Sequence, residues 1–186
     1  MIILIDNYDS FSYNLYQLIG SVNQDIKVYK NDLISVNEII DMKPSHIILS
    51  PGPGRPKDAG IIEEVCKKIT NIPILGICLG HQAICEAYGL EIINAKHICH
   101  GKKDNIRIIN NDNLFKGLGD SIEAARYHSL IGKGSSNCLE VLALNSDNEI
   151  MAIKHKDYPI YGLQFHPESI MTKDGLTIIK NFLGGK

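Results

Sequence analysis

The sequence is short of the features that mark several broad classes of protein. Basic charge is not in excess: 19 Lys and Arg stand against 21 Asp and Glu, giving a net charge of −2 and a pI near 6.4. The charges are mixed along the chain and build no basic face, which argues against nucleic acid as a partner. No apolar run approaches the ~20 residues of a membrane-spanning helix, so no membrane partner is expected. The opening residues, Met1-Ile2-Ile3-Leu4-Ile5-Asp6, lack a basic leader and turn polar at Asp6. They are expected to form a strand rather than a signal peptide. Neither an internal repeat nor a low-complexity segment is present. The phosphate-cradling patterns G-x-x-x-x-G-K-[ST] and G-x-G-x-x-G are also missing. The cysteines, Cys66, Cys78, Cys85, Cys99 and Cys138, are odd in number and contain no C-x-x-C pair. With 186 residues, 44% of them hydrophobic, the chain can build a core without disulfide staples, and a reducing, cytoplasmic setting is expected. His97-x-Cys99-His100 lacks a second ligand pair at a usual structural-zinc spacing, so no metal and no other cofactor is expected.

What is present is an alternation of short apolar, β-branched runs with amphipathic stretches. Strands are expected at 2–5, 26–29, 46–49, 72–77, 90–93, 106–109, 139–144, 150–155 and 160–165. The intervening helices are 36–42, 59–69, 82–88 and 175–183, together with one after residue 10 that carries Leu15, Leu18 and Ile19, for which Ser10 is a cap candidate. The pair 139–144 and 150–155, joined by Asn145-Ser146-Asp147-Asn148, reads as antiparallel. The expectation is a single α/β domain over 1–186, an open, mostly parallel mixed sheet with helices on both faces, of flavodoxin-like type.

Three stretches carry chemistry. Ile74-Leu75-Gly76-Ile77-Cys78-Leu79-Gly80-His81-Gln82 runs from a strand through a tight Gly-flanked turn into a helix, the layout of a nucleophile elbow with cysteine at its tip. A helix N-terminus favours thiolate, the nucleophilic form, although the elbow alone is equally compatible with a small packed cysteine. Ser50-Pro51-Gly52-Pro53-Gly54 follows a strand directly. Its glycines allow close backbone approach, as an oxyanion hole needs, and an ordinary Pro/Gly turn fits the same residues. Far downstream, His166-Pro167-Glu168 places an imidazole at a strand end with a carboxylate two residues on. Glu168 can take the second ring nitrogen while the first serves a nucleophile. His46, His81 and His155 have no such context and read as core or loop residues. The polar loop Asp6-Asn7-Tyr8-Asp9-Ser10-Phe11 and the polar side chains of Ala124-Ala125-Arg126-Tyr127-His128-Ser129-Leu130, which reads as a strand end, either rim a site or satisfy local backbone.

Taken together, Gly76 to Gln82, Pro51-Gly52-Pro53-Gly54 and His166-Pro167-Glu168 resemble a class I glutamine amidotransferase of the Cys-His-Glu type, over essentially the whole chain. Asp6 to Phe11 and Arg126-Tyr127-His128-Ser129-Leu130 resemble the branch serving chorismate enzymes, anthranilate synthase component II and aminodeoxychorismate synthase component II. The resemblance implies Cys78 as nucleophile, His166 as general base and acid, and Glu168 as its orienting carboxylate. It further implies an oxyanion hole from the backbone N–H groups of Leu79 and the Gly52-Pro53-Gly54 loop, with Gln82, Ser129 and Leu130 holding the amino-acid end of L-glutamine. The implied partner is a chorismate-binding synthase subunit, component I of anthranilate synthase or of aminodeoxychorismate synthase. Lys103-Asp104-Asn105 departs from the small or hydroxyl residues usual there.

Overall fold

A computed structural model describes residues 1–184, with the backbone alone at Cys99 and His100. One nine-stranded sheet runs in the order β2-β1-β3-β4-β9-β8-β7-β5-β6. Its parallel half is β2 (Ile26–Lys30), β1 (Ile2–Asp6), β3 (His46–Leu49), β4 (Ile74–Ile77) and β9 (Ile160–Leu163). From β9 outward, β8 (Ile150–His155), β7 (Leu139–Leu144), β5 (Glu91–Ile108) and β6 (Ser121–Lys133) pair antiparallel. Strand side chains alternate between faces, and β1 shows the result. Ile2 and Leu4 join the core under α1 (Ser12–Gly20) and α5 (Gly175–Leu183). Ile3 and Ile5 join the core under α2 (Val36–Asp41), α3 (Ile62–Lys68) and α4 (Leu79–Ala87). All four are fully buried, each contributing about 1.5–3 kcal/mol of hydrophobic stabilisation. The sheet is therefore covered on both faces, and the expected mixed α/β architecture forms.

Several boundaries differ from the sequence reading for definable reasons. The two strands expected at 90–93 and 106–109 are the ends of one strand, β5, whose polar middle pairs with β6 through register shifts between Asn94/Cys99 and His100/Lys102. Backbone pairing, not burial, defines this ribbon, so hydrophobic periodicity does not report it. Arg126 to Leu130 accordingly lies inside β6 rather than at a strand end. The helix expected over 59–69 begins only at Ile62, because Pro56–Asp58 forms a 3-10 turn and Gly60 takes φ +59. A Cβ on Gly60 would stand 2.4 Å from the Asn31 carbonyl oxygen. Ser10 caps nothing: α1 starts after Phe11 with no side-chain cap, and the turn is held instead by Asp9, which accepts from the Phe11 N–H (2.7 Å), and Asp6, which accepts from the Ser12 hydroxyl (2.8 Å). At the other end α5 closes on Gly184 in the left-handed region, as expected; Gly185 lies outside the described residues.

The carboxyl ends of β1, β3, β4 and β9 open on one edge, where open α/β sheets gather their ligands. Asn7, Ser50, Cys78 and Gln164 are the first residues beyond those strands.

Candidate active site

Cys78 joins β4 to α4 with φ 51 and ψ −100, an unfavourable backbone for a residue with a Cβ. The glycines on either side make the turn possible. A Cβ on Gly76 would lie 2.4 Å from the Gly80 backbone, and one on Gly80 would lie 2.5 Å from the Leu49 carbonyl oxygen. Helix α4 therefore starts at Leu79, three residues earlier than the periodicity suggests, with Cys78 itself at its N-cap. The Leu79 N–H, as first in the helix, has no intrahelical acceptor.

The loop after β3 meets this turn. A Cβ on Gly52 would be 2.6 Å from Asn7 Cβ and 2.8 Å from Leu79 Cδ2, so only glycine lets the loop backbone pack this closely against α4. Asn7 pins the loop: its N–H donates to Ser50 Oγ (2.8 Å), its Nδ2 donates to the Ser50 carbonyl (2.7 Å), and its Oδ1 accepts from Asn31 Nδ2 (3.0 Å).

His166 arrives from the end of β9. Its N–H donates to the Ala125 carbonyl (3.0 Å), and its own carbonyl accepts from Thr172 Oγ1 (2.7 Å), which also accepts from the Ala125 N–H (2.9 Å). The imidazole Nδ1 and Glu168 Oε1 lie 2.6 Å apart, and both side chains are buried. Nε2 is buried without a hydrogen-bond partner, and Cys78 is among the groups that act on the ring. Burial alone would push the imidazole pKa down, but Cys78 and Glu168 together outweigh it and raise it to about 10. The ring is protonated at neutral pH. Tyr127 meets it edge-on at 5.1 Å between centroids, and Phe11 lies 6.2 Å away.

Between the elbow and β6 lies a cavity of about 170 Å³ lined by Gly52, Pro53, Gly54, Cys78, Gln82, Tyr127, His128, Ser129 and Leu130. It is smaller than a drug-sized pocket of ~300–1,000 Å³ and suits a single amino acid. A cysteine, a histidine paired with a carboxylate and a glycine-containing loop stand together at a small cavity, the residue types that thiol acyl transfer uses.

The glutamine amidotransferase class-I family model matches residues 3–185. The chain belongs to the class-I glutamine amidotransferase family. It is 45% identical over 186 residues to the aminodeoxychorismate/anthranilate synthase component 2 of Bacillus subtilis, with 98% of this chain and 95% of that protein covered. It is 49% identical over 187 residues to the bifunctional protein TrpGD of Thermotoga maritima, of which it spans about a third (32%). A solved chain from Thermoplasma acidophilum, described as belonging to a GMP synthase, superposes with a TM-score of 0.89 at 27% identity, covering 98% of this chain and 92% of that one.

The amidotransferase fold gathers the residues that the sequence singles out. Cys78, Gly52, Pro53, Gly54, Gln82, Ser129 and Leu130 share the cavity, Leu79 sits behind it, and His166 with Glu168 lies beside the sulfur. The metal reading of His97, Cys99 and His100 falls on side chains outside the described residues at Cys99 and His100. His46, His81 and His155 lie outside the cavity's lining, and His155 accepts from the N–H groups of Asp157 and Tyr158 (3.1 Å each). Asn7 and Tyr127 come from the two polar groups expected to rim a site or satisfy local backbone: Tyr127 walls the cavity and Asn7 pins the Gly52 loop; Thr172, which clamps His166, is additional. The signal for Asn7 was a polar residue directly after a buried strand; Thr172 left none.

Arg126 and His128 form a buried group at the cavity, with His128 in its lining. Arg126 Nη1 pairs with Asp104, Nη2 donates to Glu149 (2.9 Å), and Nε donates to His128 Nε2 (2.9 Å). The Asp104 that departs from the family pattern thus anchors Arg126, while Lys103 forms only an outlying ion pair with Glu123 (3.6 Å). Burial first, and Arg126 second, push the His128 pKa down to about 3, and burial pushes His81 down to about 4. Both folded values lie below the ordinary 6.5, so both rings favour the fold when neutral. Their contribution is complete above about pH 6.5 and is lost as pH falls from there toward 4, at up to ~1.4 kcal/mol per pH unit for each ring. Urea unfolding at pH 7, 5.5 and 4.5 is expected to show this decline, and substituting His128 by Asn is expected to lessen its slope, leaving the His81 share; equal stability at all three would contradict it.

Proposed function

We propose that this chain is the ammonia-supplying subunit of anthranilate synthase, hydrolysing glutamine to glutamate and passing ammonia to a chorismate-binding component I. The observation that carries the reading is the placing of Cys78, at a cavity of amino-acid size, beside a His166–Glu168 pair whose Nδ1 and Oε1 lie 2.6 Å apart. In this reading the Cys78 thiolate attacks the glutamine carboxamide carbon. The Leu79 and Gly52-loop N–H groups hold the oxyanion, and each such donor is worth about 10²–10³ in rate. The tetrahedral intermediate expels ammonia as His166 Nε2 donates its proton to the leaving nitrogen. Water then gives a proton to His166 and its oxygen to the thioester carbon, releasing glutamate and restoring the thiolate. Gln82, Ser129 and Leu130 line the amino-acid end of the cavity.

Free ammonia in water at neutral pH is protonated and no longer nucleophilic, so a docked synthase is needed. A groove of about 520 Å³ on the outer side of His166 and Glu168, lined in part by Phe11, Tyr127 and the 97% exposed Ile170, supports docking there. No described helix is long and apolar enough to cross a membrane, and the free thiols Cys66, Cys78, Cys85 and Cys138 support a reducing cytoplasmic setting. A second reading, delivery to aminodeoxychorismate synthase or to both enzymes, is favoured by the double name of the Bacillus relative.

The test is to mix the purified chain with each component I, chorismate and glutamine, and identify the aromatic product. Anthranilate is expected. Aminodeoxychorismate alone would move the assignment to the second reading. No product from glutamine with either partner, when ammonium salts support both, would overturn the proposal.

A further inference from the structure

Gln164 lies just beyond the end of β9, fully buried, two residues before His166. A polar side chain so placed must spend its hydrogen-bonding groups on specific partners. Those partners fix which end of the amide faces which way. The Leu130 carbonyl can only accept, so the Gln82 group 2.9 Å from it is the NH₂. That same Gln82 nitrogen lies 3.2 Å from one end of the Gln164 amide, which must therefore be its oxygen. The remaining Gln164 NH₂ points at Cys78 Sγ, 3.7 Å away. The Leu130 carbonyl is itself held: His128 Nε2 accepts from Arg126, which can only donate, so His128 Nδ1 carries the ring proton and donates to Leu130 O at 3.0 Å.

We propose that Gln164 is a further catalytic residue of the glutaminase reaction, donating an amide N–H to the Cys78 sulfur on the side not taken by His166. The proposal rests on the glutamine-hydrolysing reading above. The donor acts where sulfur carries charge, on the free thiolate before the S–C bond forms and on the thiolate that leaves when water breaks the S–C bond. A hydrogen bond to an ionised acceptor is about twice as strong as a neutral one, so the contact raises the fraction of sulfur present as thiolate for attack and stabilises the thiolate as it leaves the acyl-enzyme. His166 then has less of the sulfur's charge to hold and gives its proton to the departing ammonia more freely. The other titratable and charged groups around the sulfur are His166, with Glu168 and Asp9 behind it, Tyr127 in the cavity wall, and His128, which stays neutral with Arg126 behind it.

The test is the pH dependence of iodoacetamide alkylation at Cys78 in the full chain, read by mass spectrometry of the Cys78 peptide with the exposed Cys138 as internal reference. Two variants are compared with the unaltered chain. Gln164→Met keeps the volume and removes the donor. Gln164→Glu keeps the acceptor for Gln82 and sets a carboxylate beside the sulfur. The pH of half-maximal alkylation is expected to rise by about one unit in Gln164→Met and further in Gln164→Glu, with Cys138 unmoved. In the complex with component I, kcat for glutamine hydrolysis is expected to fall about tenfold with KM changed less than about twofold. A midpoint unchanged in both folded variants, with only the melting temperature lowered, would make Gln164 a packing residue and overturn the proposal. Alkylation needs no turnover, so the two readings separate: absence of glutamine hydrolysis by the unaltered complex counts against the function, and an unmoved Cys78 profile counts against Gln164 alone.

Discussion

Cys78→Ala is expected to reduce glutamine-dependent product formation by about 10⁴-fold or more while leaving synthesis from ammonium salts intact in the complex. The size follows from the role: without the sulfur no thioester can form, and the remaining oxyanion donors have only water to assist. The variant should also fold, because alanine fits the small buried position and the strained φ of 51 costs it no more than cysteine. The two substrates separate chemistry from structure. Loss of both activities would show that Cys78 supports docking or folding rather than attack.

Glu168→Gln is expected to lower the glutamine-dependent kcat by about 10²–10⁴-fold. Glu168 Oε1 is 2.6 Å from His166 Nδ1, and its other oxygen is buried without a partner, so its charge is directed at the ring. With a neutral amide there, burial, which already works against the imidazolium, is opposed by Cys78 alone and the ring pKa falls. His166 then holds a smaller share of the proton it must deliver to ammonia. The fall should be largest at alkaline pH, where the unaltered enzyme keeps its imidazolium and the variant does not. A pH–rate profile parallel to that of the unaltered enzyme, merely scaled down, would contradict this account of Glu168.

Much of this was legible in the residues, and what was not has physical causes. Cys78 stood out because glycines at 76 and 80 are required by backbone contacts of 2.4–2.5 Å, and such requirements leave a pattern in sequence. The same holds for Gly52 against Asn7 and Leu79. His166 and Glu168 are two residues apart and carry their own spacing signal. The polar middle of β5 was hidden, since its pairing with β6 depends on backbone hydrogen bonds that any side chain permits. The start of α3 was misplaced because Gly60 meets Asn31, a contact between segments distant in sequence. Arg126 and His128 were visible as polar residues, but their partners Asp104 and Glu149 lie on other segments of the chain, where no local spacing points to them. Gln164 interrupts the otherwise apolar run 160–165, and its partner Gln82 is on the far side of the elbow.

The most direct test of the central claim is to trap the acyl-enzyme. The chain, bound to component I with chorismate, is mixed rapidly with isotope-labelled glutamine, quenched in acid, digested and analysed by mass spectrometry. The account expects one labelled γ-glutamyl thioester, on the peptide carrying Cys78, released by hydroxylamine and absent when Cys78 is alanine. Label on another cysteine, or steady glutamate release with no acyl group on Cys78 under conditions that slow deacylation, would contradict it.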